Sequence, residues 1–236
     1  MIALDLLGER LGSERGRDYA YRILRHNIVT TRLPPGSVLN EPELSEQLSM
    51  SRTPVREALI LLKYEGLVDI MPQRGSKVTY ISLHSVREGF FLRKVMESVL
   101  IRDLAGKLSS AQVARLKENI AAQEAALEAG GEEGFVDFFL LDDDLHKLLY
   151  EFSGWLEIGE NVHRVCSHFD RIRYLDTMLN HAYLQPILEQ HRRLFYFLSL
   201  GVPAGEDLNA FCEEHIGRWL IRVEHVIAAA PEYFID

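Results

Sequence analysis

The amino-acid sequence predicts a mostly α-helical protein in two parts: a small N-terminal unit of three helices and a hairpin, and a larger antiparallel all-α helical bundle. Apolar residues recur at helical spacing through most of the 236 residues. Strand-like segments around a proline and glycine turn occur near residues 67–79. Beyond residue 83, segments of helix length are separated by glycine or polar breaks.

Two helices are predicted before residue 50. Residues 17–32 carry apolar side chains at spacings of three and four, which is typical of a helix that buries one face. Asn40 is a favourable N-cap for a second, short helix, in which Leu44 and Leu48 lie four apart on one face. This second helix would position the one that follows.

A third helix is predicted over about residues 52–65, between a polar break and Gly66. Pro54 is tolerated in its first turn, where backbone N–H groups lack intrahelical partners. Recognition helices contact base edges with their N-terminal residues, so polar and basic side chains at this end predict contact with duplex DNA. The side chains concerned are Ser51, Arg52, Thr53 and Arg56.

Two short strands follow, over residues 67–71 and 76–79, and complete a winged helix-turn-helix. Arg74 beside Gly75 makes the hairpin tip small and cationic. Such a tip can approach a phosphate or enter a minor groove, where arginine is the favoured side chain. We therefore predict a DNA-binding domain over residues 1–79.

The net charge of −9 is unevenly distributed. Residues 1–79 hold 11 Lys and Arg against 10 Asp and Glu, whereas residues 80–236 hold 15 against 25. Because phosphate repels an acidic surface, DNA should contact only the N-terminal domain. A near-neutral head suits a homodimer, since two heads double the phosphate contacts and bind two half-sites.

Composition predicts a cytoplasmic protein. An apolar fraction of 47% is ample for two packed cores. There is no run of about eighteen apolar residues and no cationic leader before an apolar stretch, so neither a membrane span nor a signal peptide is expected. Cys166 and Cys212 lack paired spacing to another Cys or His, which fits a reducing compartment and argues against a disulfide scaffold.

Residues 80–236 are predicted to form one all-helical domain. Short turns between helices with wide apolar faces favour an antiparallel bundle, whose interior can hold a cavity or metal site. The predicted helices span residues 83–107, 110–129, 132–153, 155–179, 181–200 and 206–229.

Candidate metal ligands lie within this bundle. Asp142 and His146 are four apart, so a carboxylate oxygen and an imidazole nitrogen share one helical face and could converge on a cation. His191 and His215 lie on later helices. On spacing alone, each histidine is more simply a surface residue or a hydrogen-bonded core residue. The other candidates are interpreted as ordinary helix residues or solvent-facing acids: Asp143, Asp144, His163, His168, His181 and His225.

Residues 17–79 resemble the winged helix-turn-helix of GntR-type bacterial transcription regulators. The resemblance rests on the LPPG turn, the SRTPVREAL core and the EGL stop, in that order. Pro42 departs from the family, which commonly has an arginine at this point, so one DNA contact is missing or comes from another side chain. The resemblance implies Arg52 and Arg56 as base or phosphate readers, Ser51 and Thr53 as phosphate contacts, and Arg74 with Gly75 as the wing tip.

Residues 83–229 resemble, more loosely, the FCD domain of the FadR-type branch, whose members often carry a metal in a helical bundle. The resemblance rests on Arg93 and Glu97 and on the order and spacing of the ligands Asp142, His146, His191 and His215. It implies a divalent zinc, nickel, manganese or cobalt ion with open positions for an anionic ligand. The effector in this family is typically a small carboxylate metabolite. Arg93 and Arg173 are candidates to bind it; as ordinary residues they would be helix-surface ion-pair partners.

The sequence therefore predicts a DNA-binding transcription regulator and not an enzyme. The usual behaviour of the family that it resembles implies a repressor. Binding of a small organic acid at the metal-containing bundle would change the placement of two winged heads and hence operator affinity. Two alternatives stay open. One is a regulator that responds directly to the metal. The other is a metalloenzyme, which would need Glu97 or Asp143 as a proton-transfer group and leaves the winged motif unexplained.

Overall fold

The computed structural model describes residues 2–8, 10, 12–71 and 75–236 and confirms the mostly helical fold class. In these ranges, a small domain of three helices and a three-stranded sheet precedes a larger helical bundle. The small domain contains α1 (Gly16–Val29), β1 (Val38–Leu39), α2 (Glu41–Gln47), α3 (Arg52–Tyr64), β2 (Val68–Met71) and β3 (Gly75–Val78).

The three helices of the small domain form where the sequence predicts them. The side chain of Asn40 accepts a hydrogen bond from the backbone N–H of Glu43 at 3.4 Å and so caps α2, while Pro42 is tolerated in the first turn. α1 packs against α3. Leu24, Leu44 and Leu59 are buried in the core that the three helices share.

The sheet differs from the prediction in having a third strand. β2 and β3 pair antiparallel, with Val68 opposite Val78, and β1 adds to the other edge of β3, with Val38 opposite Lys77. A two-residue strand is too short to show an alternating pattern, so the sequence did not reveal β1. Arg74 lies outside the described residues, and its role at the wing tip stays a prediction. Gly75 opens β3 with a φ of +86°, a conformation that favours glycine.

The linker strand β4 (Ile81–Ser82) leads into the bundle. α4, α6 and α8 pack against one another, and α5 packs against α6 and α9. The last strand, β5, pairs parallel with β4 and was not predicted. The elements are α4 (Leu83–Leu104), α5 (Ser110–Ala129), α6 (Gly131–Phe152), α7 (Leu156–Val165), α8 (Ser167–Leu179), α9 (Leu184–Leu200), α10 (Leu208–Gly217), α11 (Val223–Ala229) and β5 (Phe234–Ile235).

Two predicted helices prove to be divided. The segment 155–179 breaks at Cys166 into α7 and α8, and a 3-10 turn over residues 218–221 separates α10 from α11. At the first break α4 comes very close: a Cβ added to Gly89 would lie 3.1 Å from Cα of Cys166. No glycine or proline lies at that break. We therefore attribute the break to the packing of α4 and not to local preference.

Both cysteines are buried free thiols. Burial raises the pKa of Cys166 far above its usual range and that of Cys212 to about 11. Protonated thiols act as small apolar groups, so these residues contribute packing. In the described part of the chain, no helix is both long enough and apolar enough to cross a membrane.

His168 connects the two domains, although the sequence suggested an ordinary helix residue. Its Nδ1 accepts the backbone N–H of Ser82 at 3.1 Å, so Nε2 carries the proton and donates it to the carbonyl oxygen of Gly66 at 3.2 Å. Burial, and then the charge of Arg171, lower the pKa of His168 to about 4. The imidazole is therefore neutral in the folded protein.

We expect the free energy of unfolding to fall as the pH drops from about 6.5 toward about 4. The unfolded chain binds a proton on this imidazole at a higher pH than the folded one, so the stability is complete above the unfolded pKa. His168 should account for a loss of about 2–3 kcal/mol by about pH 4.5. Urea denaturation in chelator should give a flatter pH dependence for His168→Gln, while the exposed-site control His225→Gln should follow the wild type. Parallel curves for wild type and His168→Gln would contradict the assignment.

Candidate DNA interface and metal centre

The predicted reading residues lie together at the start of α3. Ser51, Arg52, Thr53 and Arg56 are all exposed, and Ser51 is the N-cap residue. The hydroxyl of Ser51 does not accept a hydrogen bond from the first turn of α3, and no acidic residue lies in that turn. Backbone N–H groups and cations at a helix N-terminus suit contact with phosphate.

Arg56 is held by the neighbouring helix. Its Nε lies 3.2 Å from both carboxylate oxygens of Glu41, and one terminal nitrogen lies 2.7 Å from Oε2. Glu41 precedes Pro42 at the start of α2. An exposed pair of this kind contributes little stability, so Arg56 can exchange its carboxylate for a DNA group at small cost.

A groove beside α3 is lined by three arginines that were not predicted as DNA contacts. Arg10, Arg15 and Arg17 line it together with Ser51 and Pro54. Their clustering within eight residues was a visible cue, but Arg10 and Arg15 precede α1 and Arg17 lies in its first turn, outside the helix-turn-helix motif. They place additional positive charge beside the N-terminal end of α3.

The four predicted metal ligands meet inside the bundle. One ring nitrogen from each of His146 on α6, His191 on α9 and His215 on α10 lies within 4.8 Å of the others. Oδ1 of Asp142 lies 3.1 Å from Nε2 of His191 and 3.9 Å from Nε2 of His146. All three imidazoles are buried.

An acceptor faces the Nδ1 atom of each imidazole. Nδ1 of His146 lies 2.7 Å from Oε2 of Glu97, and Nδ1 of His191 donates to Oε1 of Gln123 at 2.6 Å. Nδ1 of His215 lies 3.3 Å from Oε1 of Gln190. Where Nδ1 donates to a glutamine oxygen, as in His191 and His215, Nε2 carries the lone pair.

The arrangement of these lone pairs favours binding of a cation. Nε2 of His191 and of His215 is buried without a hydrogen-bond donor among the described residues. The Nε2 lone pair of His191 faces the Asp142 carboxylate, so two electron-rich atoms lie 3.1 Å apart. A divalent metal relieves this unfavourable arrangement, and three imidazoles with one carboxylate are donors that zinc, nickel, manganese and cobalt accept. The residues therefore fit a metal.

The protonation states of Asp142, His146 and His215 also suit metal binding. Burial alone would raise the pKa of Asp142, but Arg173 and the neighbouring imidazoles hold it well below its usual range. Burial lowers the pKa of His146, and burial with the two other imidazoles lowers that of His215. The carboxylate is therefore ionised and these imidazoles are neutral near pH 7, which are the forms that bind metals.

A cavity of about 610 Å³, including the space that opens to solvent, adjoins this cluster. Arg93 and Arg173, the two candidate effector residues, both line it, and each is also in an ion pair. Nε of Arg93 lies 2.8 Å from Oε1 of Glu97, while Arg173 pairs with Asp142. The rest of the lining includes Phe138, Phe139, Thr177, Ile216, Arg218 and Arg222.

Comparison with known proteins decides the family. Residues 17–78 match the family described as bacterial regulatory proteins, gntR family, and residues 88–215 match the FCD domain. The HTH-type transcriptional repressor RspR of Escherichia coli is 36% identical over 178 residues, which cover 74% of this chain and 75% of RspR. The chain belongs to the GntR family. It is a DNA-binding transcription regulator with an FCD domain, and not an enzyme.

Another relative of this GntR regulator is also described as a transcriptional regulator, and a solved structure shares its fold. An uncharacterized HTH-type transcriptional regulator from an unstable DNA locus of Streptomyces ambofaciens is 33% identical over 217 residues, covering 91% of this chain and 87% of the relative. Among solved structures, E. coli McbR/YncC superposes with a TM-score of 0.76 at 22% identity, covering 90% of this chain and 98% of McbR. That similarity shows the shared fold.

The remaining acids and histidines of this GntR regulator lie outside the four-residue cluster. Asp144 is exposed and pairs with Lys147 at 3.2 Å, while Asp143 pairs with the same lysine at 3.0 Å. His163 lies 3.7 Å from Asp143. Gln123 and Gln190, which orient two of the imidazoles, were not predicted from the sequence. A glutamine on a helix gives no signal that distinguishes an orienting residue from a solvated one.

Proposed function

We propose that this GntR regulator is a repressor whose operator affinity is controlled by a small carboxylate metabolite bound beside a divalent metal in the FCD domain. The observation that carries the proposal is the buried group of Nε2 lone pairs facing Asp142, next to a cavity lined by arginines. The name of RspR describes a repressor, which supports the sign of the effect for this chain.

Asp142, His146, His191 and His215 would hold the metal, while Glu97, Gln123 and Gln190 orient the imidazoles. A bound dication would supply a Lewis-acidic anchor for one carboxylate group. Four protein donors would leave open positions in a five- or six-coordinate ion, and three of the four residues, Asp142, His146 and His215, also line the cavity.

The cavity wall suits a small acid. Arg93 and Arg173 would add charge-assisted hydrogen bonds to a carboxylate at the metal. Arg218 and Thr177 offer further polar contacts, and Phe138 with its apolar neighbours excludes water around the ligand. Because one terminal nitrogen of Arg173 pairs with Asp142, a metal bound to this carboxylate would weaken that pair and make this nitrogen available to the incoming acid, while the other terminal nitrogen stays with Asp170.

We also propose that the regulator acts as a homodimer on DNA in the cytoplasm. Phe91, Val95 and Val99 lie four apart along one face of α4 and remain exposed by 67%, 45% and 41%. An apolar row of this kind on a bundle helix is a suitable interface for a second copy of the chain. Two copies would present two reading helices to two half-sites.

A ligand screen tests the proposed function. The protein first selects binding duplexes from a random pool, and small carboxylates are then screened by thermal shift with zinc or manganese and with chelator. We expect at least one acid to stabilise the metal-loaded protein, to lose this effect in chelator, and to release the selected duplex. Stabilisation that survives chelation would contradict the metal-anchored site. Duplex binding that depends on metal but on no acid would instead show a direct metal sensor.

A further inference from the structure

We propose that a chain of alternating buried charges carries the state of the metal and effector site to the DNA-reading head. This charge chain consists of Asp142, Arg173, Asp170, Arg25 and Glu65. The inference rests on the proposed function, since it supplies the route by which occupancy of that site would regulate DNA binding.

The charge chain is continuous at ion-pair distances. Arg173 pairs with Oδ2 of Asp142 through one terminal nitrogen, and its other terminal nitrogen lies 3.2 Å from Oδ1 of Asp170. The second oxygen of Asp170 lies 3.1 Å from a terminal nitrogen of Arg25. Nε of Arg25 lies 3.1 Å from Oε2 of Glu65. Each member therefore contacts the next one directly.

The chain joins elements of different function. Asp142 belongs to the metal cluster on α6, Asp170 and Arg173 lie on α8, and Arg25 lies on α1 of the small domain. Glu65 is the C-cap residue of α3, the reading helix. The five side chains are at most 13% exposed, so water screens their interactions weakly.

Further contacts fix Arg25 at the junction of the domains. The terminal nitrogen that faces Asp170 also donates to the carbonyl oxygen of His163 and to Oγ of Ser167, both at 3.2 Å. Oγ of Ser167 in turn donates to Oε2 of Glu65 at 3.1 Å. A shift of Arg25 between Asp170 and Glu65 would therefore change the contact between α8 and the small domain.

The cluster of Asp143, His163 and Asp170 resembles a second cation site, since its ligand atoms lie within 4.8 Å of one another. However, Lys147 lies 3.0 Å from Asp143, while Arg25 and Arg173 occupy both oxygens of Asp170. These carboxylates are already compensated by protein cations. The cluster is better explained as the middle of the charge chain.

The alternating signs of the charges determine how the contact between the domains responds to metal. When Asp142 shares its charge with a bound dication, it holds Arg173 less strongly, and Arg173 then draws more on Asp170. Asp170 in turn holds Arg25 less strongly, so Arg25 shifts toward Glu65 within its own domain. Metal alone should therefore loosen the small domain from the bundle. A carboxylate that binds Arg173 would reverse each step and tighten the contact.

Zinc alone, added to the full-length protein, provides the test. Backbone amide hydrogen exchange of α1 and of the end of α3 reports the domain contact, and competition with a chromophoric chelator reports zinc affinity. In the wild type, saturating zinc should speed exchange at the α1 surface that faces α8. Arg25→Gln should still bind zinc but lose this response, whereas the control Arg22→Gln, which breaks the Arg22–Glu14 pair within the small domain, should retain it.

Arg25→Lys covers the case in which the glutamine variant fails to fold, since an ammonium keeps the charge but lacks the fork that joins two carboxylates. A weakened response in Arg25→Lys supports the proposal. A full response in either variant, or no response in the zinc-loaded wild type, overturns it. Failure of the wild type to bind zinc would instead overturn the metal site of the proposed function.

Discussion

Replacing Arg52 and Arg56 together with alanine is expected to weaken binding of a selected duplex at least about thirtyfold, since each base-reading arginine contributes about 1–3 kcal/mol. Both residues are exposed at the start of α3, and the pair between Arg56 and Glu41 shows that its guanidinium is already directed across this surface. The double substitution removes two cations, so the dependence of affinity on salt should also fall by about two counterions.

Fluorescence anisotropy across a range of salt concentrations provides the measurement. Lys63→Ala is a matched control, because this exposed cation lies in the last turn of the same helix, away from its reading end. The control should bind the duplex almost as the wild type does. If the double variant retained wild-type affinity and salt dependence, the reading surface would lie elsewhere on the molecule.

Replacing His191 with alanine is expected to lower zinc affinity by more than the roughly 10–100-fold loss that follows removal of an orienting residue. The imidazole is completely buried, its Nε2 faces Asp142, and Gln123 holds its Nδ1. Gln123→Ala should show the smaller loss, because the ligand stays but its orientation is no longer fixed.

Competition with a chromophoric chelator measures these affinities, and circular dichroism verifies that each variant is folded. His225→Ala is the control, because this exposed histidine lies on α11 and outside the cluster. Its zinc affinity should equal that of the wild type. Equal affinities for His191→Ala and His225→Ala would contradict the four-residue site.

The sequence revealed the parts of this molecule that are encoded over short distances. Asn40 caps its helix, the α3 residues form one exposed end, and Asp142 with His146 share a helical face, because each depends on residues within one or two turns. His191 and His215 needed the family resemblance, since spacing alone favours an ordinary role for each.

What the sequence did not reveal depends on packing between distant segments. Arg25 and Asp170 are separated by 145 residues, and Gln123 lies 68 residues before the imidazole it orients. The role of His168 in connecting the domains likewise depends on the packing of α8 against the linker and the end of α3. The break at Cys166 follows from the close approach of α4, for which no local residue type gives a signal.

The most direct test of regulation through the bundle is reciprocal binding on the metal-loaded, full-length protein. The dissociation constant of the selected duplex is measured with and without the most stabilising acid, and that of the acid with and without the duplex. Linked sites must show the same factor in both directions, and a regulatory coupling of this kind is typically about 5–150-fold. We predict that the acid weakens duplex binding by a factor in this range, equal to the factor by which the duplex weakens acid binding. An acid that binds at the metal yet leaves duplex affinity unchanged would contradict control of DNA binding from this site.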